Sequence, residues 1–313
     1  MKKLSIVIPV YYNQDNLKPL YADLKQKVLS ELGKYGFDYE LVFVDDGSGD
    51  DSYAVMKELA AQDKKIVTVH LSRNFGSHAA ILAGLAQCSG DCAAMKAADL
   101  QEPSEMILDM LKSYSDGFNV VLAVRKDREE GIFQKLFANT YYAVVRRFAL
   151  KNMPKGGFDC FLIDRKVIDV LNAMEEKNTS LMGQILWSGF RTKEVEYVRL
   201  KREIGKSRWT LSKKIKLFMD SLFGFSYFPI QFISSVGFVM FIASIIWAII
   251  ILVSKLTGNI SVSGYTALSL ILLGGFGTVL ISLGVIGEYI WRMFDATRKR
   301  PPYIIEESSK NNL

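Results

Sequence analysis

Histidine and cysteine are scarce in this sequence, and where they fall argues against whole classes of chemistry. Two histidines, His70 and His78, and three cysteines, Cys88, Cys92 and Cys160, are spread over 313 residues. Cys88 and Cys92 lie close together but no histidine cluster accompanies them, which argues against a zinc site. A sparse, odd cysteine count suits a reducing compartment. No G-x-G-x-x-G follows the first strand-like run, which speaks against a dinucleotide-binding domain, and there is no Walker-type loop. The opening stretch Met1–Val10 is basic and then apolar. It is too short for a signal sequence and ends in Pro9 and polar residues, so it reads as a first strand.

What the chain does have is apolar surplus in one place. Half of the residues are hydrophobic, and the excess sits after Phe218. No charged residue occurs from Ser221 to Ser254, or from Leu256 to Gly287. Each stretch exceeds the roughly 20 apolar residues that cross a bilayer as a helix. The turn-rich break Lys255-Leu256-Thr257-Gly258-Asn259 separates two expected membrane helices, about Pro229–Val253 and Tyr265–Ile290. Gly274, Gly277, Gly284 and Gly287 are small enough to let them approach closely. The net charge is +6, with basic clusters at Arg199–Lys216 and Arg298–Arg300. Both flank apolar segments, so an anionic lipid surface is the expected partner and nucleic acid is not. The loop between the helices carries a single lysine, which by the positive-inside rule puts both termini in the cytoplasm. Before the first span, Lys206–Phe218 mixes basic and apolar residues. Trp209, Ile215 and Phe218 suit the membrane interface, and the position beside a span favours that reading over a solvated linker helix.

The first 200 residues alternate apolar runs with amphipathic stretches. The runs are Leu4–Val10, Leu41–Val44, Ile66–Leu71, Cys92–Met95 and Val120–Val124. The helical patterns are Leu17–Leu32, Ser52–Ala61, Ala79–Ala86 and Glu105–Tyr114. Such alternation predicts an α/β fold with a mainly parallel sheet, in which ligands bind beyond the carboxyl ends of strands. Polar residues gather at those ends: Asn13, then Asp45-Asp46-Gly47-Ser48, Ser72-Arg73-Asn74, Asp99-Leu100-Gln101-Glu102 and Arg125–Arg128.

Four segments then become recognisable together: Ser5-Ile6-Val7-Ile8-Pro9-Val10-Tyr11, Phe43-Val44-Asp45-Asp46-Gly47-Ser48, Ser72-Arg73-Asn74-Phe75-Gly76 and Ala98-Asp99-Leu100-Gln101-Glu102-Pro103. They resemble the family 2 glycosyltransferases, and within them the polyprenyl-phosphate type, similar to dolichol-phosphate mannosyltransferase and bactoprenol glucosyltransferases. The resemblance extends through both apolar spans to Arg298-Lys299-Arg300-Pro301-Pro302-Tyr303. It implies a GT-A fold, a nucleotide-sugar donor and inversion at the anomeric carbon.

The resemblance also implies roles for residues. Asp45 would accept hydrogen bonds from the nucleobase, with Pro9 and Tyr11 as the pocket wall and Asp46 beside them. The same acidic-Gly-Ser run is equally a good turn and helix cap. Asn13 stands where relatives carry Glu. Asp99 falls at the second acid of the family's Asp-x-Asp motif, which holds Mg²⁺ or Mn²⁺ on the donor diphosphate, and Gln101 would complete or orient that site. The first acid is replaced by Ala97, and Lys96 is a candidate for the missing positive charge. Arg125 and Arg128, with Lys135 behind them, match basic positions suited to the acceptor phosphate, or else form a solvated charged loop. Asp159 is the candidate base or acceptor orienter, and Trp187-Ser188-Gly189-Phe190 is expected near the acceptor. His70 and His78 are not read as catalytic.

The expected layout is a cytoplasmic catalytic domain over 1–200, a juxtamembrane amphipathic segment over 201–228, a transmembrane hairpin over 229–292 and a basic tail over 293–313. The expected function is transfer of a hexose or related sugar from a nucleotide donor, most simply UDP-linked, to polyprenyl phosphate at the inner cell membrane. A homo-oligomer fits the flanks as well as a monomer does. The competing reading is a catalytically silent membrane scaffold that kept the fold, suggested by Ala97 alone.

Overall fold

A computed structural model describes residues 1–126, 140, 142–174, 176, 179–200, 211–257 and 264–312. The N-terminal part of the chain and its last strand form one eight-stranded sheet in the order β7-β5-β6-β4-β1-β2-β3-β8. Its first strands are β1 (Lys2–Val10), β2 (Phe37–Asp45), β3 (Ile66–Leu71) and β4 (Cys92–Met95). All four pair in parallel. Their middles are Val-, Ile- and Ala-rich and buried without alternation, as strands covered on both faces must be. The crossovers run through α1 (Gln14–Leu24), α2 (Ser52–Gln62) and α3 (Ser77–Gln87). In α3, Gly84 lies against β1, and a Cβ there would come within 2.4 Å of Val7 Cγ1. The chain winds β1-β2-β3 outward, then crosses back to lay β4 on the free side of β1. That reversal of direction opens the crevice in which α/β proteins hold ligands.

The far side of the sheet is mixed. After α4 (Met106–Ser115) come β5 (Val120–Arg125), a helical stretch α5 over 142–148, β6 (Cys160–Asp164), α6 (Arg165–Ala173), α7 (Leu181–Trp187) and β7 (Thr192–Tyr197). β6 runs antiparallel to both β4 and β5, while β7 is parallel to β5. The five strands expected from sequence are present, and the mainly parallel α/β sheet agrees with the expectation. β6, β7 and the last strand, β8, were not anticipated.

β8 corrects the expected basic tail. After α8 (Leu211–Phe225), α9 (Phe228–Leu256) and α10 (Tyr265–Thr297), the chain returns to the sheet and Ile305–Ser308 pairs antiparallel with β3. The outer edge of β3 needs a partner for its peptide groups, and this segment supplies it. Sequence reading saw only the basic residues before it.

Two windows, Phe228–Trp247 and Gly274–Thr297, are long and apolar enough to cross a membrane, with mean hydropathies of 2.0 and 1.3 and outward-facing side chains. The helices meet where Thr278 Oγ1 lies 3.0 Å from Met240 Sδ. Among the described residues, nothing lies within 4 Å of a Cβ built on Gly274, Gly277, Gly284 or Gly287. The hairpin is instead fastened to α8 by an ion pair. Arg292 Nη2 lies 2.9 Å from Asp220 Oδ1 and 2.9 Å from Glu288 Oε1. Tyr289 donates to the Ser226 carbonyl at 3.1 Å, and Phe148 stacks on Phe228 at 3.8 Å.

Because Asp220 and Arg292 are only 12% and 14% exposed, removing one strands the other. Arg292→Met should cost about 3 kcal/mol in detergent-solubilised protein, read as a lowered thermal midpoint. Adding Asp220→Asn should recover part of that loss; no recovery would mean the pair is not what joins α8 to α10.

Candidate active site

All the polar strand ends lie on one edge of the sheet. The carboxyl ends of β1 to β5 and β7 share it, and antiparallel β6 begins there, which brings Asp159 to the same edge. The backbone on this edge is unusually contorted. Tyr12 after β1 (φ 55) and Leu100 after β4 (φ 57) are non-glycine residues in the left-handed region, and Gly47 (φ 66) and Gly76 (φ 99) join them. Such conformations persist only where surrounding contacts enforce them, and they concentrate at ligand sites.

On the β1–β2 side, the loops are stitched together. Tyr12 N–H donates to Ser48 Oγ at 2.9 Å, Asn13 N–H to Ser52 Oγ at 3.0 Å, and Tyr11 N–H to Asn13 Oδ1 at 3.1 Å. Tyr11 and Tyr12 meet edge to face at 4.7 Å, beside Pro9 at the end of β1. Asp46 accepts the Phe75 and Gly76 amides at 2.7 and 3.0 Å, so it pins the loop after β3 to the turn after β2. Gly47 is required here: a Cβ would sit 2.4 Å from the Arg73 carbonyl carbon. Asp45 is fully enclosed. Its Oδ2 lies 2.7 Å from His70 Nδ1, and the Ser48 amide reaches both carboxylate oxygens at 3.2 to 3.3 Å. His70 was passed over in the sequence because it lies within a strand. The signal was the register: parallel pairing sets it opposite Asp45.

On the β4 side, Asp99 is half-buried and takes the Gln101 amide on Oδ1 at 3.3 Å. The Gln101 side-chain oxygen accepts from Arg199, and its backbone joins Leu200 at 2.8 Å. Arg199, grouped by sequence with the lipid-facing basic residues, therefore belongs to this site. Among the described residues no three acidic, histidine or cysteine side chains converge on one point. A single carboxylate fits a hard divalent cation only where substrate phosphates supply most of the other ligands, which is how Mg²⁺ is ordinarily held.

Lys96 departs from its expected role. Its side chain is fully buried, donates to the Glu102 carbonyl at 2.7 Å and lies 3.6 Å from Glu102 Oε2. The ammonium is thus an internal partner of Glu102 and turns away from solvent. Burial pushes the Glu102 carboxyl above its ordinary range; Lys96 pulls it back, and Asp99 and Asp159 push it up again.

Beside these, Arg125, Asp159 and Tyr197 form one cluster. Arg125 Nε donates to Asp159 Oδ2, and the Tyr197 hydroxyl donates to the same oxygen at 2.9 Å. Register sets Arg125 opposite Tyr197 on paired β5 and β7. Burial disfavours the Arg125 charge, but the Asp159 carboxylate outweighs it and holds the guanidinium firmly protonated. Burial, and then the same carboxylate, push the Tyr197 phenol upward. Tyr197 had no sequence signal, since β7 alternates polar residues on an exposed surface. Arg128 and Lys135 lie outside the described residues. Trp187 is exposed at the end of α7, on the helix face of Gly183, where a Cβ would strike the Phe225 ring of α8.

Comparison with known proteins adds a consistent picture. Residues 5–172 match the family model described as Glycosyl transferase family 2. The "Uncharacterized glycosyltransferase YkcC" of Bacillus subtilis is 37% identical, over 97% of this chain and 93% of its own. The "Bactoprenol glucosyl transferase" of Shigella phage SfII is 32% identical, over 99% of each. The "Undecaprenyl-phosphate 4-deoxy-4-formamido-L-arabinose transferase" of Proteus mirabilis is 32% identical, over 98% of this chain and 94% of its own.

The Lys96–Glu102 pair makes a stability prediction. An acid whose folded value is raised stabilises fully below its unfolded value, near 4.5, and that stability is lost as pH rises through the folded value. Lys96→Met removes the opposing charge, so its thermal midpoint should fall more steeply than wild type above pH 4.5. Glu102→Gln should flatten the slope. Identical slopes in all three proteins would show that the pair is not buried as described.

Proposed function

We propose that this chain, which belongs to glycosyl transferase family 2 and is a glycosyltransferase of GT-A-like fold, moves a sugar from a nucleotide donor to a polyprenyl phosphate with inversion. The observation that carries this reading is the sharing of one sheet edge. Asp45 and Asp99 on the donor side and the Arg125–Asp159–Tyr197 cluster on the other lie together there, in a chain with two bilayer-length helices. The acceptor class is supported by two relatives whose names agree on bactoprenol or undecaprenyl phosphate and differ in the sugar.

In this scheme the nucleobase lodges against Pro9, Tyr11 and Asn13, with Asp45 as its polar contact and Asp46 holding the loop that frames it. Mg²⁺ or Mn²⁺, held by Asp99 and the donor phosphates, would offset negative charge on the departing diphosphate. Gln101, fixed by Arg199, orients Asp99 through its backbone amide. The acceptor phosphate arrives already ionised, so no strong base is needed. Its oxygen bonds to the anomeric carbon from one face while the bond to the nucleoside diphosphate breaks on the other. Arg125 positions the attacking phosphate, and Asp159 with Tyr197 fixes the guanidinium plane. Asp159 is then an orienter of Arg125 more than a base. Arg128 and Lys135, outside the described residues, are further candidates for contact with the acceptor phosphate.

The protein sits in the inner membrane through α9 and α10, with the catalytic domain and both termini in the cytoplasm, α8 along the interface and lipid as its partner. A homo-oligomer is compatible with this arrangement. The product is a lipid-linked sugar for cell-envelope glycan assembly.

Purified protein with undecaprenyl phosphate and a panel of UDP- and GDP-sugars should form lipid-linked product from one donor, in Mg²⁺ or Mn²⁺ and not in chelator. Arg125→Ala should lower turnover at least about 100-fold, as loss of a positioning charge does, and Asp99→Ala should abolish the metal response. Folded protein that binds no nucleotide and turns over no donor would make the silent scaffold the correct reading.

A further inference from the structure

The enclosed carboxylate of Asp45 has two kinds of partner, and they are unequal. The Ser48 amide reaches its oxygens at 3.2 and 3.3 Å, shared between both, which is a weak, divided contact. His70 Nδ1 lies 2.7 Å from Oδ2, short for a nitrogen–oxygen pair and typical of a charge-assisted bond. Facing a carboxylate, Nδ1 must carry the hydrogen.

The imidazole has two further neighbours. Tyr53 of α2 stacks on it at 4.5 Å with 23° between the planes. Glu306 Oε2 lies 3.7 Å from Nε2. Glu306 is carried by β8, whose place is fixed by its pairing with β3, by the Thr68 amide donating to Ser309 Oγ at 3.0 Å, and by a Lys57–Glu307 ion pair at 2.9 Å. None of these contacts belongs to the donor, acceptor or metal groups described above.

We infer that His70 is a positioning residue of the donor site. It is the fixed half of the Asp45 environment, holding one carboxylate oxygen while the weaker Ser48 side yields to the entering nucleobase. The segment that follows the membrane hairpin, through Glu306 and β8, keeps the imidazole in place. This rests on the reading of Asp45 as the base-contacting acid.

The test is direct binding of UDP and GDP to the full chain in detergent by calorimetry, with thermal midpoints measured alongside, and donor KM and kcat in turnover. His70→Ala should weaken binding of the preferred nucleotide roughly tenfold, the scale of one charge-assisted hydrogen bond. Donor KM should rise by the same factor while kcat at saturating donor stays within about twofold. His70→Asn places an amide N–H near the position of Nδ1 and should recover most of the affinity. His70→Gln carries its amide out toward Nε2 and should not. Should His70→Ala fail to fold, the comparison of Asn with Gln decides. A wild-type protein that binds nucleotide, with His70→Ala or His70→Gln binding equally well, overturns the inference and leaves the donor reading intact. A wild-type protein that binds neither nucleotide overturns the donor reading itself, and this inference with it.

Discussion

The placement of β1 between β2 and β4 is the constraint on which the rest depends. Parallel pairing on both sides forces every neighbouring strand to end at the same edge. The reversal of winding direction leaves the loops after β1 and β4 facing a common crevice. The strained backbone at Tyr12 and Leu100 sits in those two loops. Were β4 to follow β3 outward, Asp99 would lie three strands from Pro9 and Tyr11.

Around that crevice, buried charge is managed by pairing. Asp45 has His70, Lys96 has Glu102, Arg125 has Asp159, and below the sheet Arg292 has Asp220. Each pair joins different elements or the two ends of a loop. Breaking any of them exposes an uncompensated ion, which is far costlier than losing an exposed pair. The pairs therefore fix geometry more than they add stability. Arg125 shows the difference: its charge is partly answered by Asp159, and the contact sets the direction of the guanidinium.

The fold was legible where the physics is local. Four of the five apolar runs that open the sheet announce themselves by β-branched composition, and the two long helices by uninterrupted apolar length. Asp45 and Arg125 drew notice because each directly follows such a run, whereas Asp99 and Asp159 were singled out through the family resemblance. What could not be read depends on pairing between distant segments. Tyr197 matters only because β7 lies in register with β5, and Arg199 only because Gln101 reaches it. Lys96 misled because its sequence position at a strand end is that of a site residue; packing turned its side chain inward toward Glu102.

The order in which the chain is made gives β8 a meaning of its own. Protein emerges from the ribosome amino end first, and β8 comes after both α9 and α10. The outer edge of β3 thus stays open through the synthesis of both helices, a bare row of peptide groups able to template pairing with another chain. Sealing of that edge is the last folding event available to the sheet. It can happen only once the chain beyond α10 has come back to β3 and laid Ile305–Ser308 along it. The last strand to be made is thus the one that closes an edge begun by the third.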